Sequence, residues 1–447
     1  MMNQPLLWLF HFDVLAVIMI ALVAFIGLCV GSFAWRYLKG DTQYRVFFVQ
    51  LGLLVVAVAA MVSADHLVVL FATWCASNAL LVRLMVHKHC WRAAKASGAL
   101  ATRNYVLGAA CMALAFALLY AATGQTSIQA LVQTTSPSGL MLPALVLLLV
   151  AAMTQSAIWP FHRWLTSSLN SPTPVSAIMH AGLVNGGGFL LARFAPLYFV
   201  QSTLLTAIFA IGIASALLGT LWKLMQSDVK RMLACSTMGQ MGFMLAQCGL
   251  GLFPAAVAHL VWHGTFKAYL FLASGGAAQE QRLDMGYPPK TFAFICALLC
   301  GAVGSMGFAY ALHESWFAAD TTLVLVMVAF LAASQFALTL LRENTLRSVP
   351  FALAATALMS LAYGGSVRLI TSAMEPMGLM QPQPLNGFHL LGIAALALAW
   401  LSALFLRGAT KPGQHPVWML KGYVAALNAS QPHASTITAH RNHYQYQ

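Results

Sequence analysis

His259, His263 and Lys267 recur at intervals of four inside "AHLVWHGTFKAYLFLASG" (258–275), a run that is otherwise mostly apolar. At 3.6 residues per turn the three side chains form one stripe down a helix face. Two imidazoles and an amine in line can hand a proton from group to group. Histidine suits this because its charge changes near working pH, and lysine does when its surroundings disfavour the ammonium. Lys267 lies near the middle of an apolar stretch, too deep to snorkel. A lone charge there costs at least ~2.5–3.5 kcal/mol, so the lysine is expected to be either paired or held neutral.

Two further stretches carry polar chemistry. In "TQSAIWPFHRWLTSSLNSPTPVSAIMHAGLVNGGGFLLARF" (154–194), Pro160 breaks an apolar run and 161–173 is polar. Pro172 and Pro174 then open the next helix, where proline is tolerated. Irregular backbone at membrane depth survives only buried in protein or lining a water-filled cavity, and Gln155, His162 and His180 are expected to face that cavity. "NGGG" (185–188) allows close approach of neighbouring helices. In "QSDVKRMLACSTMGQMGFM" (226–244), Asp228 is expected to cap a helix, with Lys230 and Arg231 as anchors at its start. Ser236, Thr237 and Gln240 continue a polar face inward.

The elements that position these groups follow from composition. Of 447 residues, 60% are hydrophobic and 7% charged, where a soluble domain carries roughly 25% charged residues. Runs of ~20 apolar residues are long enough to cross a bilayer as helices. Thirteen can be drawn: 13–35, 46–64, 66–86, 104–123, 140–159, 174–194, 203–222, 231–250, 255–277, 291–312, 320–341, 349–365 and 387–406. The reading is an all-α polytopic membrane protein with a membrane domain over 1–409 and a tail over 410–447. Within the tail, 415–430 is expected to form a short amphipathic helix on the membrane surface or on a partner. The closing "HRNHYQYQ" reads as disordered. No cleavable signal peptide is expected, because the first apolar run is long enough to stay as a span.

The net charge is +13. In a soluble protein that balance suggests nucleic acid. Here, with the N-terminus placed outside, 20 of the 23 Lys and Arg residues fall in cytoplasmic loops and the tail. Arg193 and Arg368 fall on the other side, and Lys267 lies within a span. That bias explains the charge and sets the orientation without a polyanionic partner. The eight cysteines are scattered without metal-ligand spacing, so neither a disulfide framework nor a metal site is expected in this chain.

Taken together, "WPFHRWL", "SPTPVSAIMHAGLV", "SDVKRMLACSTMGQMGF" and "HLVWHGTFKAYLFLASG" resemble the antiporter-like, proton-conducting membrane subunits of respiratory complex I and of Mrp sodium/proton antiporters. The resemblance runs from about residue 13 to about residue 290. It implies that Lys267 is the central lysine of a proton path, with His259 and His263 beside it. His180 corresponds to the histidine of the preceding relay, and Asp228 and Lys230 to the polar pair at a channel entrance. There are departures. The family's glutamate after the tryptophan of the third span is Cys75 here, after Trp74. Its broken-helix lysine is Gln155. The glutamate–lysine pair of one half-channel is therefore missing, while the half around Lys267 is intact.

The branch formed by membrane subunits of inorganic-carbon accumulation complexes fits these differences best. That resemblance implies a non-enzymatic proton- or sodium-conducting subunit in a bacterial inner membrane. It implies a large cytoplasmic partner bearing a zinc site like that of β-carbonic anhydrases, and no cofactor in this chain. Two other readings stay open at this point: an Mrp-type antiporter or respiratory subunit, and a membrane anchor that has lost conduction.

Overall fold

The computed structural model of the chain describes residues 9–134, 138–279, 287–317, 319–342, 345–405 and 416–437. Among the described residues, eighteen α-helices follow in order. The first half comprises α1 (Val14–Tyr37), α2 (Tyr44–Ser63), α3 (Leu67–Met85), α4 (Arg92–Thr123), α5 (Ile128–Val132), α6 (Met141–Gln155), α7 (Arg163–Thr166), α8 (Thr173–Ala181) and α9 (Gly186–Arg193). The second comprises α10 (Ala195–Phe199), α11 (Ser202–Met225), α12 (Val229–Gly249), α13 (Phe253–Ala273), α14 (Thr291–Leu312), α15 (Thr322–Leu340), α16 (Ser348–Met374), α17 (Gly387–Phe405) and α18 (Val417–Ala429). Extended pairing among the described residues is limited to isolated bridges. The chain is a multi-pass, all-α membrane protein.

Among the described residues, ten helical segments are by themselves long and apolar enough to cross a membrane, which does not confirm the count of thirteen drawn from sequence. Every drawn span coincides with helix, but three fail on length or hydropathy. α6 stops at Gln155 after fifteen residues, where the chain breaks before Pro160. α12 and α13 have 21 residues each, but their polar side chains lower their hydropathy. Two helices outrun their drawn spans. α4 begins at Arg92, because the alanine-rich "RAAKASGALATR" continues the helix past its apolar part. α16 runs on to Met374 and takes Arg368 into the helix.

Aliphatic and aromatic side chains such as Leu28, Val56, Leu299 and Leu358 stand exposed around the bundle, as a lipid-facing surface requires. In lipid, association rests on close van der Waals contact, which small residues permit. The α11–α12 hairpin shows this most clearly. A Cβ on Gly212 would lie 2.4 Å from the Ala246 amide nitrogen, and one on Gly242 would lie 2.5 Å from that of Ala216. Gly212→Leu therefore has to push two backbones apart, and it is expected to destabilise the bundle by ~1–3 kcal/mol or more. A lowered melting temperature of the purified protein in detergent checks this.

The two ends of the bundle differ. At one end, bridges pair Phe10 with Ala64, His66 with Ser127, Leu252 with Met380 and Asp320 with Pro384. The other end gathers the basic loops and the tail. There α18 lies within the 415–430 stretch, with Trp418 exposed. The segment after it straps across the polar stretch before α8. Gln226 Nε2 donates to Ser430 Oγ at 2.9 Å, the His433 amide donates to Ser167 Oγ at 2.9 Å, and Asn170 Nδ2 donates to the Thr436 carbonyl at 2.9 Å. The expected boundary at 409/410 and the closing residues 440–447 lie outside the described residues.

Candidate functional site

α13 places its stripe in the interior. His259, His263 and Lys267 are all buried, Lys267 with 1% exposure. Pro254 opens the helix near its first turn, and the periodic Val, Leu and Phe residues hold it between α1, α8 and α12. Gly264 lets it approach α8, because a Cβ there would lie 2.8 Å from the Ala181 carbonyl oxygen.

Lys267 Nζ donates to the Leu233 carbonyl on α12 at 3.1 Å. Among the described residues the ion pairs are His87–Asp41 and Arg193–Asp13, so no carboxylate faces Lys267. Of the two states expected from sequence, the paired lysine therefore finds a backbone carbonyl rather than a counter-charge. The same Leu233 carbonyl accepts the Thr237 hydroxyl at 3.0 Å. Thr237 Oγ1 also lies 3.0 Å from His180 Nδ1. A threonine has one proton to give, and Leu233 takes it. Nδ1 of His180 is then the donor, which fixes that ring's tautomer.

His263 Nε2 lies 3.1 Å from the His180 carbonyl and donates to it. The His259 and His263 rings stack at 6.0 Å with 18° between their planes. His180 is itself stacked on Phe271 at 4.2 Å. A polar chain thus runs from Lys267 through Leu233 and Thr237 to His180, and on to His263 and His259. His259 Nε2 is buried without a partner among the described residues. Such an atom marks a place for internal water, which is polar enough to extend the chain.

The other expected site residues do not converge on one cavity. Lys230 Nζ donates to the Ser171 carbonyl at 3.3 Å, at the strapped end of the bundle. Asp228 caps α12 as expected, accepting from the Arg231 amide at 2.8 Å. It makes no ion pair with Lys230 among the described residues. His162 packs its ring on Trp222 at 4.8 Å, away from the Lys267 chain. Gln155 points to Asn78 on α3, with each side-chain amide donating to the other's oxygen at 3.0 Å. The polar breaks near 156–172 and 182–185 thus serve three separate neighbourhoods.

Sequence reading singled out Thr237 only as part of a polar face, and it missed Asn78. Its signal was an amide in an apolar helix one turn past Cys75. Leu233 contributes only a carbonyl, which no side-chain pattern reports. Thr237→Val keeps the shape but removes the acceptor for His180. The ring nitrogen is left buried without its partner, so a loss of ~1–3 kcal/mol of stability is expected. Thr237→Ser should restore it, and melting temperatures of the purified variants in detergent check both.

Residues 64–290 match the family described as NADH:quinone oxidoreductase/Mrp antiporter, TM, and residues 3–48 match NADH-Ubiquinone oxidoreductase (complex I), chain 5 N-terminus. The chain is 42% identical over 283 residues to the probable inorganic carbon transporter subunit DabB of Bacillus subtilis, covering 61% of this chain and 55% of that protein. It is 38% identical over 288 residues to the probable inorganic carbon transporter subunit DabB1 of Halothiobacillus neapolitanus, covering 62% and 51%. It is 31% identical over 306 residues to NADH-quinone oxidoreductase subunit L of Escherichia coli, covering 65% and 49%. The chain thus spans about half the length of the curated relatives it matches. Among solved structures, a chain of the Mrp complex from Dietzia sp. shares its fold, with a TM-score of 0.56 at 24% identity over 94% of this chain and 45% of that one. With half of its length matched by one family, the chain belongs to the NADH:quinone oxidoreductase/Mrp antiporter transmembrane family.

Proposed function

We propose that this chain is the cation-conducting membrane subunit of an inorganic-carbon accumulation system, a DabB-like protein that passes protons, or sodium, down their gradient. The observation that carries this is the buried polar chain from Lys267 to His259, in a subunit whose relatives are named as inorganic carbon transporter subunits. Lys267 is the switching group. In a dry surrounding its amine releases a proton, and with water or an anion nearby it regains one. His263 and His259 relay on one side and His180 on the other, with Lys230 at the entrance. The basic end of the bundle faces the cytoplasm of a bacterial inner membrane, as the loop charges favour.

The gradient energy is delivered to a large DabA-like cytoplasmic partner. Its zinc site, like that of carbonic anhydrases, converts CO2 and bicarbonate, so this chain supplies no reaction chemistry. The likeness to NADH-quinone oxidoreductase subunit L supports a second reading, an antiporter or respiratory subunit. A tagged pull-down in mild detergent, with mass spectrometry and zinc analysis, separates the two. A large zinc-bearing soluble partner is expected. Small hydrophobic antiporter subunits without zinc would move the chain to the second reading.

A further inference from the structure

The α3–α6 side of the bundle is built differently from the Lys267 side. Asn78 and Gln155 are both buried and face each other as a reciprocal amide pair, each donating and accepting at 3.0 Å. Gln155 Nε2 gives its remaining proton to the Leu183 carbonyl at 3.1 Å. The neighbouring Ser156 hydroxyl donates to the Val184 carbonyl at 2.6 Å. The pair is also packed tight, since a Cβ on Gly186 would sit 3.1 Å from Gln155 Cγ. Neither amide side chain gains or loses a proton in water. Within Leu67–Val82 of α3, Met141–Gln155 of α6 and Asn104–Thr123 of α4 there is no Asp, Glu, Lys, Arg or His. This side holds a neutral hydrogen-bond knot and, within those ranges, no Asp, Glu, Lys, Arg or His to carry a charge.

We propose that the Asn78–Gln155 pair is a neutral lock that closes the α3–α6 side to water and cations, so that every cation crossing the subunit passes Lys267. This deepens the reading above and rests on it for the identity of the open route. A lock has to fill space and leave no polar atom unmet, but it does not have to carry a proton. An apolar pair of similar volume can replace it, because the Gly186 amide still donates to the Leu183 carbonyl, whereas truncating both side chains opens space for water beside that carbonyl.

Two variants of the full chain test this. In the complex with its partner, Asn78→Leu/Gln155→Met is expected to keep cation-driven carbon uptake at the wild-type rate with the same pH profile. Loss of uptake by this assembled variant would show that the amides take part in conduction and overturn the lock. The second variant places Asn78→Ala/Gln155→Ala in a Lys267→Ala background, in vesicles carrying the membrane subunit alone. Proton leak is expected to rise several-fold over Lys267→Ala. A bilayer that stays as tight as with Lys267→Ala alone refutes closure by the pair. The leak assay needs no carbon substrate, so failure of wild-type uptake counts against the proposed function and leaves the lock to be decided by leak.

Discussion

Lys267→Ala is expected to abolish cation-driven carbon uptake while the subunit still assembles with its partner. The amine is the deepest ionisable group in the α13 stripe, and its one hydrogen-bond partner among the described residues is a carbonyl that cannot take a proton. In the proposed mechanism alanine removes the switching group and leaves the rest of α13 in place. A loss of ~100-fold or more is the scale for deleting a proton-transferring group. The companion Lys267→Arg sharpens the reading. A guanidinium keeps the positive charge and hydrogen-bonding capacity but does not release its proton. It is therefore expected to be as inactive as alanine. Labelled bicarbonate uptake, measured beside recovery of the intact complex, checks both. Normal uptake by an assembled Lys267→Ala complex would remove the lysine from the mechanism.

The stripe that carries this prediction was legible because helical period alone puts residues 259, 263 and 267 on one face. Apolar runs placed every membrane helix for the same reason. Length and hydropathy alone do not vouch for three of the drawn spans: α12 and α13, whose polar side chains dilute their hydropathy, and α6, where the chain breaks. Sequence could not show what each polar group meets. Gln155 and His180 fall in one broken region of the chain, yet one closes on Asn78 and the other on Thr237. These partners come from α3 and α12, 77 and 57 residues away, and no local pattern encodes such distances. The role of the Leu233 carbonyl was also hidden, because every residue brings one and only packing selects which is used.

Arg193→Met is expected to cause the largest loss of stability. Arg193 ends α9 and forms a two-pronged ion pair with Asp13, the residue that caps α1 through the Ala16 amide. Its second terminal nitrogen also donates to the Val62 carbonyl at 2.9 Å, so one guanidinium ties the ends of α1, α2 and α9. Both side chains are largely buried, at 7% and 12% exposure. Methionine keeps much of the volume but leaves the Asp13 carboxylate without its counter-charge and the Val62 carbonyl without a donor. Breaking a buried pair from one side costs ~3–5 kcal/mol, mostly the penalty of the stranded charge. Arg193→Met/Asp13→Asn removes that charge, and asparagine still caps a helix. The double variant is therefore expected to melt above Arg193→Met, with a clear non-additive term between the two sites. Melting curves of the four proteins in one detergent decide the point. Additive losses would mean that the two side chains contribute separately and that the pair is no clamp between α1 and α9.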